Sequence, residues 1–240
     1  MGRIGGRAAR LLGVLAVLAA VWGVAWAAGW VGPPGGAASD GALADAGTLP
    51  DDKLAAARAQ LARLQVKGRA GTGGYERSEF GQAWADVDRN GCDTRNDILA
   101  RDLTGVAFRA GTRDCVVSSG VLEDPYTGDR IDFVRGPRSA EVQIDHVVAL
   151  SDAWQKGAQL WSPERREEFA NDPANLLAVD GDANQEKGNG DLATWLPQNK
   201  AFRCEYTARI VAVKSEYGLW MTEAEHRRAG ELLDACGPGG

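Results

Sequence analysis

Two short apolar runs constrain this chain more than any other feature: residues 142–148 (VQIDHVV) and 175–179 (NLLAV). Each has the length of a strand and falls short of an ordinary helix. Between them lie two stretches of helical pattern, 151–158 and 163–170, and after the second run Asp182 is placed to cap a short helix. The expected centre is therefore strand, long helical connection, strand, short helix.

Around that centre the spacing predicts a helix near 51–66, where Leu54, Leu61 and Leu64 share a face, and further helices over 76–84 and 96–103. A small hairpin is expected from strands 115–121 and 131–134, joined by the turn residues of EDPYTGDR. The C-terminal third reads as helices over 199–217 and 222–235, the second opened by a capping box, Thr222 with Glu225. Helices and strands mix without regular alternation, so the expected class is α+β.

Ahead of the domain, Arg3, Arg7 and Arg10 precede an uncharged run over 11–31, which fits an export signal, with small residues at Ala25 and Ala27, and also fits a membrane anchor. Either way the rest of the chain is expected to leave the cytoplasm, secreted or held on the outer face of the membrane, which it would touch only through that segment. Residues 32–74 read as a Gly/Pro-rich flexible linker carrying the short helix, and 75–240 as one compact domain, expected to be a monomer. Four cysteines fit an oxidising compartment; of the three pairings possible, Cys92 with Cys115 and Cys204 with Cys236 are expected, the latter tying two C-terminal helices together. Without the first 31 residues, which hold three arginines and no acid, the charge falls from −6 to −9. A phosphate-binding surface would have to be a local basic patch.

The chain has two histidines. His226 lies among arginines in a capped helix and reads as a surface residue. His146 lies inside the first apolar run, where a hydrogen-bonded core role is the ordinary reading. Three neighbours in the pattern argue for chemistry instead: Asp145, a hard oxygen ligand beside it; Asn175, at the head of the second run; and Asn184, nine residues on, in the short helix.

This order resembles the HNH endonuclease superfamily, with its ββα-metal unit, in a variant where Asn184 replaces the last histidine. More widely, GYERSEFG, NGCDTRNDIL, DPYTG, VQIDHVVALSDAW, FANDPANLLAVDGDANQEKG and TWLP, in that order over about 75–236, resemble exported HNH-family proteins of actinobacteria related to the C-terminal nuclease domain of modification-dependent restriction enzymes. The resemblance implies His146 as general base, Asp145 and Asn184 as ligands of one divalent metal, Mg²⁺ or Mn²⁺, and Asn175 as a brace for the loop between the strands. A neutral imidazole suits proton abstraction from water, and an oxygen-held cation suits stabilisation of the phosphorane and the leaving oxygen. Because neighbours in a regular strand face opposite ways, the strand is expected to end or bend at Asp145 and His146.

Lys187, Lys200 and Arg203 are candidate phosphate contacts, with solvated surface charge as the equal alternative. Trp195 reads as core packing. Residues 86–97 (DVDRNGCDTRND) match the first half of a calcium loop, with Asp86, Asp88 and Asn90 at the ligand spacing and Asp97 in place of the final glutamate; a plain polar loop is the other reading. Two functions follow: an exported metal-dependent endonuclease acting on nucleic acid, DNA before RNA, or a non-catalytic calcium-binding cell-surface module on a degenerate nuclease scaffold.

Overall fold

The computed structural model describes residues 47–237; the leader expected over 1–31 lies outside them. Strands β4 (Val142–His146) and β5 (Leu176–Asp180) pair antiparallel, from Val142 opposite Asp180 to His146 opposite Leu176. Almost every residue of both is buried, which explains runs that are apolar without alternation. Val142, Ile144, Leu176 and Ala178 face one hydrophobic cluster, and Leu177 and Val179 face the other. The two-stranded sheet is thus a partition between two cores.

The first core is closed by a three-stranded antiparallel sheet, β1 (Thr104–Phe108), β2 (Val117–Glu123) and β3 (Arg130–Val134), and by helix α2 (Thr94–Asp102), which Asp93 caps through the Asn96 amide. β2 and β3 are the expected hairpin. Its turn is fixed by Asp124, whose Oδ2 accepts from Thr127 N at 2.7 Å and whose Oδ1 accepts from Asp180 N at 2.9 Å, tying the hairpin to the end of β5. β1 was not expected. Its residues are mostly exposed, so the sequence lacks an apolar alternation there.

The second, larger core is helical. Helices α3 (Leu150–Gln155) and α4 (Pro163–Asn171) connect the central strands, α5 (Gly181–Lys187) follows β5, and α6 (Arg203–Tyr217) and α7 (Glu223–Asp234) end the domain. Helix α1 (Asp51–Leu61) stops short of residue 66 and buries Leu54, Ala57 and Leu61 in this same core, packed on α6 and α7. The helix expected over 76–84 is only a 3₁₀ turn, Arg77–Phe80. Two features break it: Gly81 at φ +73°, where a Cβ would lie 2.7 Å from Glu167, and Trp84 at φ +60°. The cap of α5 is Asp180, not Asp182, through the Ala183 amide at 2.8 Å. Gly181 is required there, since a Cβ would meet the Ala140 carbonyl oxygen at 2.2 Å.

Both expected disulfides form, Cys92–Cys115 and Cys204–Cys236, with Cα atoms 5.0 and 5.7 Å apart. The second joins α6 to the end of α7 and closes a loop worth about 3 to 4 kcal/mol through the unfolded chain. His226 is half-buried rather than a surface residue, with its ring Nε2 3.1 Å from the Leu61 carbonyl oxygen, so it ties α7 to α1.

The helical core also encloses charge. Lys156 and Lys214 are fully buried, and so are Asp152, Asp191 and Glu225. Lys156 Nζ lies 2.6 Å from Asp152, 2.7 Å from Asp191 and 2.6 Å from Glu225; Lys214 Nζ lies 2.9 Å from Asp152 and 2.6 Å from Glu225. Arg69 adds contacts to Asp152 and Asp191 at 3.0 and 2.5 Å. Three cations meet three carboxylates, which is the condition for burying such groups.

Candidate active site

β4 ends at His146, as expected from the pattern. His146 leaves the strand toward Ile144 and Leu176, Asp145 toward Leu177 and the helical core, yet both line one cleft of about 240 Å³ at the strand's end. Asn184, from α5, lines the same cleft, together with Tyr75 and Arg77.

His146 is 7% exposed. Its Nε2 lies 2.8 Å from the carbonyl oxygen of Ala170, one of the last-turn carbonyls of α4 that no intrahelical amide satisfies. A carbonyl only accepts, so Nε2 carries the hydrogen and the neutral ring keeps its basic lone pair on Nδ1. Burial pushes the imidazole down from 6.5 to about 4, with Arg77 and Lys187 acting in the same direction against Asp145 and the Ala170 bond. The ring is neutral at physiological pH. The Trp84 indole stacks beside it, centroids 6.3 Å apart and planes 18° from parallel.

Asp145 is 6% exposed and heavily engaged. Its Oδ2 accepts from the Tyr126 hydroxyl at 2.5 Å, and Lys187 Nζ reaches its two oxygens at 3.0 and 2.9 Å. Lys187 also donates to the His146 carbonyl oxygen at 2.9 Å and is 3% exposed. This corrects the phosphate-contact expectation for Lys187: its ammonium is spent on orienting Asp145 and the end of β4. Burial, then Asp145, raises the Tyr126 phenol well above its ordinary value, so it stays a proton donor.

Asn184 is half-buried and donates from Nδ2 to Gln143 Oε1 at 2.9 Å, which turns its amide and fixes which atom is the free acceptor. Asn175 is fully buried: its Oδ1 accepts from Val148 N at 2.8 Å, its Nδ2 donates to Val148 O at 3.3 Å, and its carbonyl accepts from Val147 N at 2.8 Å. The side chain replaces a sheet partner for the residues just beyond β4. Lys200 and Arg203 sit half-buried before and at the start of α6, where Arg203 Nε donates to the Pro197 carbonyl at 2.8 Å; neither lines the cleft. Trp195 packs edge-on against Tyr126 with centroids 4.9 Å apart, as core.

The 86–97 loop is tied together by its own hydrogen bonds. Asp86 accepts from the amides of Asn90 and Gly91 at 3.0 and 2.9 Å, Asp88 accepts from Asn90, and Asn90 Oδ1 accepts from Cys92 N at 2.7 Å. Among the described residues no three His, Cys, Asp or Glu side chains are grouped to hold a metal. A cation in the cleft would rest on Asp145 and the Asn184 amide oxygen. That donor set fits Mg²⁺, which keeps several waters and takes one or two protein oxygens.

The chain matches, over residues 93–231, the family described as GmrSD restriction endonucleases, C-terminal domain. The protein belongs to that family. It is also 35% identical to an "Uncharacterized secreted protein" of Arthroderma benhamiae over 182 residues, 75% of this chain and 84% of that protein. No solved structure matches it. The GmrSD C-terminal domain as matched contains His146, Asp145, Asn175 and Asn184 but begins after Tyr75, Arg77 and Trp84. Sequence reading missed those three, and Tyr126 and Ala170 as well. Tyr75, Arg77 and Tyr126 do carry a signal, since GYERSEFG and DPYTG are among the shared motifs; Ala170 acts through its backbone and leaves none.

Proposed function

We propose that this protein is an exported, metal-dependent endonuclease of HNH type that hydrolyses phosphodiester bonds of nucleic acid, DNA in preference to RNA. His146 takes the proton from the attacking water through Nδ1. Supporting this is one observation above the rest: a buried imidazole, held as a single neutral tautomer by Ala170, opens on the cleft that Asp145 and Asn184 also line. Tyr126 and Lys187 fix the Asp145 carboxylate, and Gln143 fixes the Asn184 amide, so that both present oxygens without reorganisation. Mg²⁺ or Mn²⁺ on those two oxygens would stabilise charge on the phosphorane and the departing 3′-oxygen. Asn175 holds the backbone after His146 in place. Two disulfides and the family relative named as secreted support an extracellular site of action.

The test is a plasmid-nicking assay with the full chain, with Mg²⁺ and with chelator, beside His146→Ala. Nicking that needs metal and is lost in the variant supports the enzyme. Intact plasmid with Mg²⁺, Mn²⁺ and Ca²⁺ would sink it.

A further inference from the structure

Resting on that nuclease reading, we infer that Arg77 is the residue that grips the substrate phosphate next to His146, and that the N-terminal segment preceding the family domain therefore completes the active site. Among the described residues, Arg77 is the one Lys or Arg that lines the cleft. It also lines a smaller cavity that His146 shares, with Phe80, Trp84 and Leu150, so Arg77 and the imidazole border both spaces. Among the described residues no carboxylate pairs with it, whereas Lys187 is consumed by Asp145. The formal charge at the cleft is then that of Arg77 alone. On a protein this acidic, an exposed guanidinium without a partner at the mouth of such a cleft is an anion site.

The frame around Arg77 is rigid. Tyr75 packs edge-on against Trp154 and Phe80, with centroids 6.0 and 6.4 Å away, and Phe80 is buried. Glu79 is held from both sides of its residue by Arg166, which donates to its carbonyl at 2.7 Å and its carboxylate at 3.1 Å. The next amide beyond Gly81, Gln82 N, is taken by Glu167 at 3.1 Å. Upstream, Ala70 N bonds the Gln155 carbonyl at 2.8 Å and Arg69 enters the buried charge cluster. Contacts at Ala70, Tyr75, Glu79 and Gln82 hold the flanks, while the Arg77 head has no carboxylate partner among the described residues, the arrangement expected of a preorganised binding group. A guanidinium also matches two phosphate oxygens at once, which lysine does not.

The test measures binding, not cleavage: fluorescence anisotropy of the full chain with a labelled DNA duplex and with its single strand in chelator, over a range of salt, for wild type, Arg77→Ala, Arg77→Lys and Arg77→Glu. The expected result is affinity about tenfold lower for Arg77→Ala, as for loss of one charged hydrogen-bonded contact, with a salt slope lower by about 1 and an unchanged thermal midpoint. Arg77→Lys keeps the slope and loses part of the affinity, and Arg77→Glu binds more weakly than Arg77→Ala. Wild-type affinity and slope in Arg77→Ala overturn the inference and leave the nuclease reading standing. A lowered thermal midpoint with weak binding shared by all three variants overturns it too, since that marks a structural role. Failure of the wild type to bind either nucleic acid overturns the nuclease reading and the inference with it.

Discussion

His146 and Ala170 meet at 2.8 Å, ring nitrogen to carbonyl oxygen, across the gap between the end of β4 and the end of α4. A helix terminus that lacks a donor and an imidazole whose tautomer it fixes satisfy each other.

The acid limb of activity follows from this pair. Burial holds the imidazole near 4, well under its ordinary 6.5, so the ring stays unprotonated through the mildly acidic range. In a pH profile of kcat/KM the acid limb is expected near pH 4 to 5; a limb at 6.5 would mean an exposed ring. For stability the sign is that of a depressed histidine. Between about 6.5 and 4 the unfolded chain binds the proton that the folded one refuses, so folding stability falls over that window as pH drops and levels off below it. Denaturant titrations at pH 7 and pH 4.5 on wild type and His146→Gln, which does not titrate, isolate this contribution.

Asn184→Ala removes the amide oxygen and leaves Gln143 without its donor. Activity is expected to drop at least a hundredfold, as for loss of a metal ligand, and to recover in part at raised Mg²⁺. Because an amide does not titrate near neutrality, metal affinity of the wild type should be flat from pH 6 to 8 by calorimetry. Full activity in the variant would take Asn184 out of the site.

Asn175 carries a stability prediction of its own. Asn175→Ala strands the buried N–H and C=O of Val148, each costing about 1 to 3 kcal/mol, so a loss of about 2 to 4 kcal/mol is expected in urea denaturation. Asn175→Asp keeps an acceptor for Val148 N but cannot donate to Val148 O, and it buries a charge. It should be no better.

The central strands, the helix after them and both disulfides are legible in the sequence because each leaves a local mark: apolar runs of strand length, a capping aspartate close after the second run, though Asp180 and not Asp182, and an even number of cysteines. Asp145, His146 and Asn184, picked out by the same pattern, line one cleft. What escaped depends on long-range geometry. Lys187 read as a clamp because helical spacing from Asn184 is visible, while the 41 residues separating it from the backbone of His146 hide the bond that buries it. The 76–84 segment has helical composition, yet Glu167 crowding Gly81 decides its conformation. Arg77 carries no local mark of its place, because it lies 69 residues before His146 and is brought beside it by the packing of Tyr75 and Phe80.

The buried charge cluster is the least legible feature, built from ordinary surface residue types of which only Asp152 and Lys156 are local neighbours, four apart. Lys156→Met leaves an excess carboxylate in a dry core and is expected to cost about 3 to 5 kcal/mol. Adding Glu225→Gln restores equal numbers of cations and anions, so the double variant should be more stable than the sum of the singles predicts. Burial alone would raise Asp152, but Lys214 and Lys156 outweigh it and hold the carboxyl below its usual range; burial would lower Lys214, but Asp152 and Glu225 hold it above. The depressed acid contributes stability that is present above its unfolded pKa of about 3.9 and is lost as pH falls through the folded value; the raised lysine contributes stability present below about 10.4 and lost as pH rises through its own. The stability of wild type relative to the double variant should therefore be level from about pH 5 to 9 and fall away at both ends. A difference that instead varied steadily across neutrality would mean that water, not the opposing charges, solvates these groups.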